Sequence, residues 1–282
     1  MPKKLGFIGT GNMATAIING VINAGVVSAW EIIASDMERE RLAQISKKCN
    51  IETTPSNVEV AQQAEIIFLS IKPHVYDTVI GEIKDCIKPN AMVIILAAGL
   101  GLKTAKEMFG SDCEIKLVKT MPNTPAMVNC GMTAVCAGEN VTEKDLKQVL
   151  KIFDSVGKTE ILPEHLFDAF TAISGSSPAY AFMFIEAMAD AGVKYGLSRK
   201  QALDISAQAL LGSAKLIQDT AEHPAILKDA VCSPGGTTIA AVCELERHGF
   251  RNAIISAVTA CAEKYKELGA SAPKPKETFE KI

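Results

Sequence analysis

Nine residues, Val231-Cys-Ser-Pro-Gly-Gly-Thr-Thr-Ile239, combine the types that can hold a small anion and serve it with hydroxyls. Ser233 and Pro234 suit a helix start, because proline supplies the right φ and needs no N–H in a first turn. Gly235 and Gly236 remove side chains, so a ligand can approach the backbone amides closely. Thr237 and Thr238 place two hydroxyls just inside that start. Unpaired N–H groups and the positive end of a helix then suit a carboxylate or a phosphate. An ordinary loop-to-helix junction can have the same residues, so the stretch alone decides nothing.

A second stretch is better defined by its surroundings. The short apolar strand Lys4-Leu-Gly-Phe-Ile8 runs into Gly9-Thr-Gly11-Asn-Met-Ala14, and a helical pattern follows at Ala14, Ile17, Ile18, Val21 and Ile22. Strand, G-x-G-x-x-A and helix in direct succession form a dinucleotide fingerprint in its required context. Gly9 permits the tight turn, Gly11 admits the pyrophosphate, and Ala14 lets helix and strand pack closely. The next strand, Glu31-Ile-Ile-Ala-Ser-Asp36, ends where such a domain reads the adenosine ribose. An acid there bonds the ribose hydroxyls and repels a 2′-phosphate. Ser35, Arg39 and Arg41 stand beside it and could instead hold that phosphate, or the arginines could be a solvated helix face.

These residues need a scaffold. Apolar strand-like runs recur at Ile66–Ile71, Met92–Leu96, Ile115–Val118 and Thr133–Cys136, with a final edge strand expected at Val156–Leu162. Apolar runs without alternation predict a parallel sheet covered on both faces, with ligands beyond the carboxyl ends of its strands. Lys72, Ala98 and Asn123 fall in such loops. Asn57 is either a helix N-cap or a ribose contact. Thr142 to Phe153 reads as a helix capped by Thr142, with Glu143 and Asp145 in its first turn. From Pro163 onward no strand pattern recurs, and helices are expected over 163–173, 178–195, 199–217 and 238–266. The fold class is therefore α/β: an N-terminal Rossmann-type parallel-sheet domain over 1–162, then an all-α helical domain over 163–282. The small-residue run Ser174–Ala179 and the stripe of Leu203, Ala207, Leu210 and Leu211 favour pairing of that domain with a second copy over a self-contained bundle.

Composition excludes several classes. With 48% hydrophobic and 22% charged residues, the 282-residue chain reads as globular, and a net charge of -3 gives no nucleic-acid footprint. The longest apolar run, Ala91–Leu102, is well short of the ~20 residues a membrane span needs. No C-x-x-C pair or metal spacing links the eight cysteines, so no metal site is expected, and the thiols suit a reducing compartment. The N-terminus leads straight into a strand without a signal-peptide pattern, so a cytoplasmic location is expected.

Taken together, Ile8-Gly-Thr-Gly-Asn-Met13, Ile71-Lys-Pro-His74, Ala97-Ala-Gly99, Met121-Pro-Asn-Thr-Pro125, Ser174-Gly-Ser-Ser-Pro-Ala-Tyr180 and Val231–Thr238 resemble the Δ1-pyrroline-5-carboxylate reductase family over nearly the full length. The last motif resembles the family's Ser-Pro-Gly-Gly-x-Thr signature. The resemblance implies reduction of L-1-pyrroline-5-carboxylate to L-proline, the last step of proline biosynthesis. It implies NADP(H) as cofactor, with NAD(H) an alternative or even the preferred one given Asp36. It further implies a homodimer through the helical domain, with each substrate site borrowing from the partner, and dimers that can assemble into a ring. Gly9, Thr10, Gly11, Asn12 and Met13 are implied at the pyrophosphate, Ser35 and Asp36 at the ribose, and Ile8 and Asn57 on the cofactor. Ile71, Lys72, Pro73 and Ala98 are implied along the nicotinamide side. Glu164, Ser233, Gly235, Gly236, Thr237 and Thr238 are implied at the substrate.

Three departures stand out. Lys119 replaces the usual arginine before Met-Pro-Asn-Thr-Pro, which keeps the charge and loses the bidentate fork. Ser177 replaces a glycine of the usual Gly-Ser-Gly-Pro-Ala. Asp36 and Met37 replace residues common in NADPH-preferring members. On this resemblance the amides of residues 235–237 take the carboxylate, while Thr238 is the catalytic residue at the ring nitrogen. Glu164 steadies the protonated imine at longer range. No lysine around Ser174–Tyr195 corresponds to the general acid of β-hydroxyacid dehydrogenases, and Lys194 reads as a solvated helix residue.

Overall fold

The computed structural model describes residues 3–96, 99–110 and 114–270. Eight strands form one sheet in the order β3-β2-β1-β4-β5-β6-β7-β8. They are β1 (Lys3–Ile8), β2 (Ile32–Ser35), β3 (Glu52–Thr54), β4 (Ala64–Leu69), β5 (Met92–Ile95), β6 (Lys116–Pro122), β7 (Gly131–Ala137) and β8 (Gly157–Ile161). Every neighbouring pair is parallel except β6 and β7. Strand order reverses between β1 and β4, and in this topology the crevice at that switch point receives the ligand.

The apolar runs are explained by burial on both faces. Along β1, β2 and β4, Leu5, Phe7, Ile32, Ala34, Ile66 and Phe68 face one core, and Ile8, Ile33, Ile67 and Leu69 face the other. The first core is closed by α1 (Asn12–Asn23), α2 (Arg39–Cys49) and, later in the chain, by a helix over Glu143–Asp154. The second is closed by α3 (Asn57–Gln63), α4 (Tyr76–Ile83) and α5 (Leu102–Phe109). Phe7 and Phe68, paired in register, stack with centroids 4.5 Å apart. Each fully buried side chain of this size contributes roughly 1.5–3 kcal/mol. The helix α6 (Glu143–Asp154) starts as expected: Thr142 accepts from the Asp145 amide, and Asp145 reaches back to the Thr142 amide.

The described chain separates into two compact units, one running to Gly175 and resuming at Cys261, the other Ser176–Ala260. The spatial division thus falls after Gly175, later than the expected 162/163, because residues 163–175 pack on the sheet. Phe167 and Phe170, in the single turn α7 (Phe167–Phe170), are buried with Ala134 of β7. The second unit holds α8 (Ser177–Lys194), α9 (Arg199–Thr220), α10 (Pro224–Ala230), α11 (Thr237–Arg247) and most of α12 (Phe250–Ala270). Gly192 and Ala202 let α8 and α9 close on each other, and Phe184 meets Phe250 with centroids 6.1 Å apart.

Only Ala189, Ala202 and Ser206 are buried among the described residues of that unit, while Phe182, Met183, Ile205, Leu211 and Ile255 are exposed. Apolar surface on that scale marks an interaction face.

Several expectations are corrected. The sheet has an unforeseen edge strand, β3, and its β6–β7 pair is antiparallel. The helix expected from 163 is a run of short 3₁₀, α and π turns. The helix expected over 238–266 is two, separated at His248-Gly249, and α10 was not expected.

Candidate functional site

The glycine turn lies at the switch point. Ser70 N–H donates to the Ile8 carbonyl and Gly9 N–H to the Ser35 carbonyl, at 2.9 and 2.8 Å. Gly9 has φ +93°, and a Cβ there would sit 2.5 Å from the Ser70 oxygen, so only glycine fits. Gly11 differs: a Cβ there would meet nothing within 4 Å. It is the N-cap of α1 and carries no side-chain cap bond, so the amides of that first turn face open space. This is the cradle a pyrophosphate requires. Beside it, Thr10, Gly11, Asn12, Thr15, Arg41, Gln44 and Lys48 line a cleft of about 480 Å³.

Asp36 does not reach freely outward. Its Oδ2 accepts from both the Thr10 amide and the Thr10 hydroxyl at 2.8 Å, and its Oδ1 accepts from the Glu38 amide at 2.9 Å. Partial burial pushes its pKa up, but these bonds and the Arg41 charge outweigh burial, leaving it below the usual aspartate value. Ser35 is fully buried and donates to Asn57 Oδ1 at 2.8 Å, and Asn57 Nδ2 donates to Glu82. Asn57 is not an N-cap: Ser56 caps α3, accepting from the Glu59 amide. Ile71 leans on the sheet core beside Gly9, while Lys72 and Pro73 are exposed at a 3₁₀ turn. Ala98 lies outside the described residues. Asn123 is buried, and its side chain is committed to Ser174 and the Met132 amide, so it braces the loop after β6.

Glu164 opens a 3₁₀ turn and faces Lys119 of β6. Its Oε1 accepts from Lys119 Nζ and from the Leu102 amide, both at 2.9 Å. Lys119 is 4% exposed, with its ammonium 5.0 Å above the Phe167 ring. These groups border a cleft of about 330 Å³ that also includes Thr104, Asp168 and Tyr265. Cys136 has its thiol pKa raised by burial and by the Glu164 charge. A more apolar cleft of about 520 Å³ between α5 and the β6–β7 pair contains none of the candidate site residues.

The Val231–Ile239 stretch corrects one expectation and sharpens another. Pro234 is not in a helix. Gly236 N–H donates to the Ser233 carbonyl at 3.0 Å, with Gly235 at φ +67°, the pattern of a type II turn with proline at its second position. Helix α11 begins at Thr237, so both threonines are helical, and its N-cap Gly236 has no side-chain cap bond. Ser233, Gly235, Thr237 and Thr238 are exposed.

One supporting residue was missed from the sequence. Tyr76, fully buried, donates to the Leu69 carbonyl at 2.6 Å and accepts from the Leu96 amide, tying the carboxyl ends of β4 and β5 together. Its only sequence signal is an aromatic hydroxyl on an apolar helix face. Among the described residues no cluster of three or more His, Cys, Asp or Glu could hold a metal, and no helix is long and apolar enough to cross a membrane.

A parallel-dominated sheet with an open glycine cradle at its switch point defines a dinucleotide-binding protein of the Rossmann type. The family described as NADP oxidoreductase, coenzyme F420-dependent, matches residues 4–99, and that described as pyrroline-5-carboxylate reductase dimerisation matches 164–268. The pyrroline-5-carboxylate reductase of Escherichia coli (strain K12) is 46% identical over 96% of this chain and all of its own length. The crystal structure of the Plasmodium falciparum pyrroline carboxylate reductase with NADP bound is 34% identical, with a TM-score of 0.85, over 95% of this chain and 98% of that one. A Coxiella burnetii pyrroline-5-carboxylate reductase superposes with a TM-score of 0.87 at 32% identity, over 95% and 99%. The chain belongs to the pyrroline-5-carboxylate reductase family.

Proposed function

We propose that this chain reduces L-1-pyrroline-5-carboxylate to L-proline with NADPH or NADH. The observation that carries the reading is the Ser233–Gly236 turn opening onto the uncapped start of α11, in a chain so similar to reductases of that name. The amides at the start of α1, from Gly11 to Met13, hold the pyrophosphate, and Ile8, Gly9 and Thr10 form the turn that presents them. Asp36 meets the adenosine ribose, with Ser35 acting through Asn57. Ile71, Lys72 and Pro73 flank the nicotinamide. The bound nucleotide supplies hydride to the imine carbon, and the protein contributes position and charge.

The amides of Gly235, Gly236 and Thr237 take the substrate carboxylate at the helix start, with Ser233 fixing the turn through its carbonyl. Thr238 Oγ hydrogen-bonds the ring nitrogen, orients it, and relays a proton from solvent to it, so that hydride adds to the protonated imine and leaves the amine. Glu164 lends negative charge at longer range to the protonated imine, tempered by Lys119. We read residues 1–162 as the dinucleotide-binding part and 163–282 as the substrate and dimerisation part of a cytoplasmic homodimer that can build rings. The exposed apolar residues of α8, α9 and α12 support pairing.

Oxidation of NADPH and of NADH, followed separately in the presence of pyrroline-5-carboxylate, tests the reading. No oxidation of either ends it.

A further inference from the structure

We propose that Asp36, held in place by Thr10, makes this chain select NADH over NADPH. The inference rests on the cofactor reading above and specifies which nucleotide that site takes. Asp36 is the first residue after β2, where the adenosine ribose lies in this fold. An ionised carboxylate offers about four acceptor directions. Three are filled: two on Oδ2 by the Thr10 amide and hydroxyl, and one on Oδ1 by the Glu38 amide. What remains is an acceptor position on Oδ1. A ribose hydroxyl is a donor and satisfies it. A 2′-phosphate is an anion, carries chiefly acceptors, and meets only like charge there.

The same three bonds remove the usual escape. An unrestrained aspartate can rotate its side chain away from an incoming phosphate, whereas this one would forfeit all three bonds. Thr10 lies between the two glycines of the cradle, so the residue that shapes the pyrophosphate turn also aims the acid at the ribose. Thr10 is thus a positioning residue.

The nearby cations do not reverse the sign. Arg41 Nε lies 2.9 Å from a Glu38 carboxylate oxygen, so a phosphate would have to compete with that carboxylate for it. From residue 36 to 41 three carboxylates face two guanidiniums. Met37, 97% exposed, offers an incoming phosphate no charge. Lys48 lines the cleft about two helical turns beyond Arg41.

The test is calorimetric titration of the full chain with NADH and with NADPH, without substrate. NADH is expected to bind at least about tenfold more tightly, the scale of one like-charge contact near a protein surface. Asp36→Asn keeps shape and an acceptor but removes the charge, and should narrow that ratio by about tenfold, chiefly through tighter NADPH. Asp36→Ser gives the same reading should the asparagine variant fail to fold. Thr10→Val keeps volume but loses the hydroxyl, and should narrow the ratio about threefold, as expected for one charged hydrogen bond shared with a retained amide. Equal or tighter NADPH binding by the natural chain, or an unchanged ratio in Asp36→Asn, overturns the proposal. An unchanged ratio in Thr10→Val removes Thr10 from it. A chain that binds NADH selectively yet reduces no imine would defeat the proposed reaction and leave this selectivity standing.

Discussion

Lys119 Nζ and Glu164 Oε1 lie 2.9 Å apart, and the same oxygen holds the Leu102 amide at the start of α5. One carboxylate thus ties β6, the turn after β8 and a helix start together. Lys119 meets one carboxylate oxygen as a point charge while its ammonium rests over the Phe167 ring. Glu164→Ala leaves an almost buried ammonium without its counter-ion and should cost about 2 kcal/mol, less than a fully buried pair because Glu164 is partly solvated. Glu164→Gln keeps the acceptor and should cost about half that. Urea denaturation measures both. Equal stability of the alanine variant would show that the pair contributes nothing.

The two cradle glycines should fail in different ways. Gly9→Ala places a Cβ against the Ser70 carbonyl at positive φ and should lower stability by about 2 kcal/mol or more. Gly11→Ala meets no protein atom, so its melting temperature should stay near that of the natural chain. Its methyl group stands in the pyrophosphate's place, and nucleotide affinity should fall at least about tenfold. Thermal melts and nucleotide titrations of both variants separate these effects, and a Gly11→Ala chain with intact affinity would move the pyrophosphate elsewhere.

Thr238→Ala should reduce turnover roughly ten- to a thousandfold, the range for losing one positioned donor or proton partner. Nucleotide affinity should be unaffected, because Thr238 lies outside the glycine cradle. Steady-state kinetics beside a binding titration decide it, and unchanged turnover would remove Thr238 from the reaction.

Acid should weaken the sheet unit. Burial raises the pKa of Asp145, yet the Lys116 ammonium and the Thr142 hydroxyl and amide bring it below the usual aspartate range, and Asp36 is lowered in the same sense. A depressed folded-state pKa stabilises fully above the unfolded value and is lost as pH falls through the folded one. Melting temperature should therefore decline from about pH 5 downward. Asp145→Asn should flatten that decline, and Thr142→Ala should cost about 1 kcal/mol at neutral pH. A slope that Asp145→Asn leaves unchanged would place the acid sensitivity elsewhere.

Features determined by neighbouring residues were legible in the sequence. Ile8–Met13 could be read because turn, cradle and helix start are consecutive. The capping of α6 by Thr142 was legible for the same reason. The apolar runs of β1, β4 and β5 announced a sheet buried on both faces. The Val231–Ile239 stretch stands out by its residue types, but its geometry does not follow from them: Gly235 at positive φ turns the chain before the helix, so Pro234 belongs to the turn.

What tertiary structure alone decided is long-range. β3, Glu52-Thr-Thr54, has no apolar pattern and is a strand because β2 offers it an open edge. β7 runs against β6 because the short loop through Asn123 allows only a return. Thr10 and Asp36 are 26 residues apart, and Lys119 and Glu164 are 45. Spacing along the chain does not encode such meetings. They follow from which strands lie side by side, and that order is set by burial of the whole sheet, not by any one segment's preference.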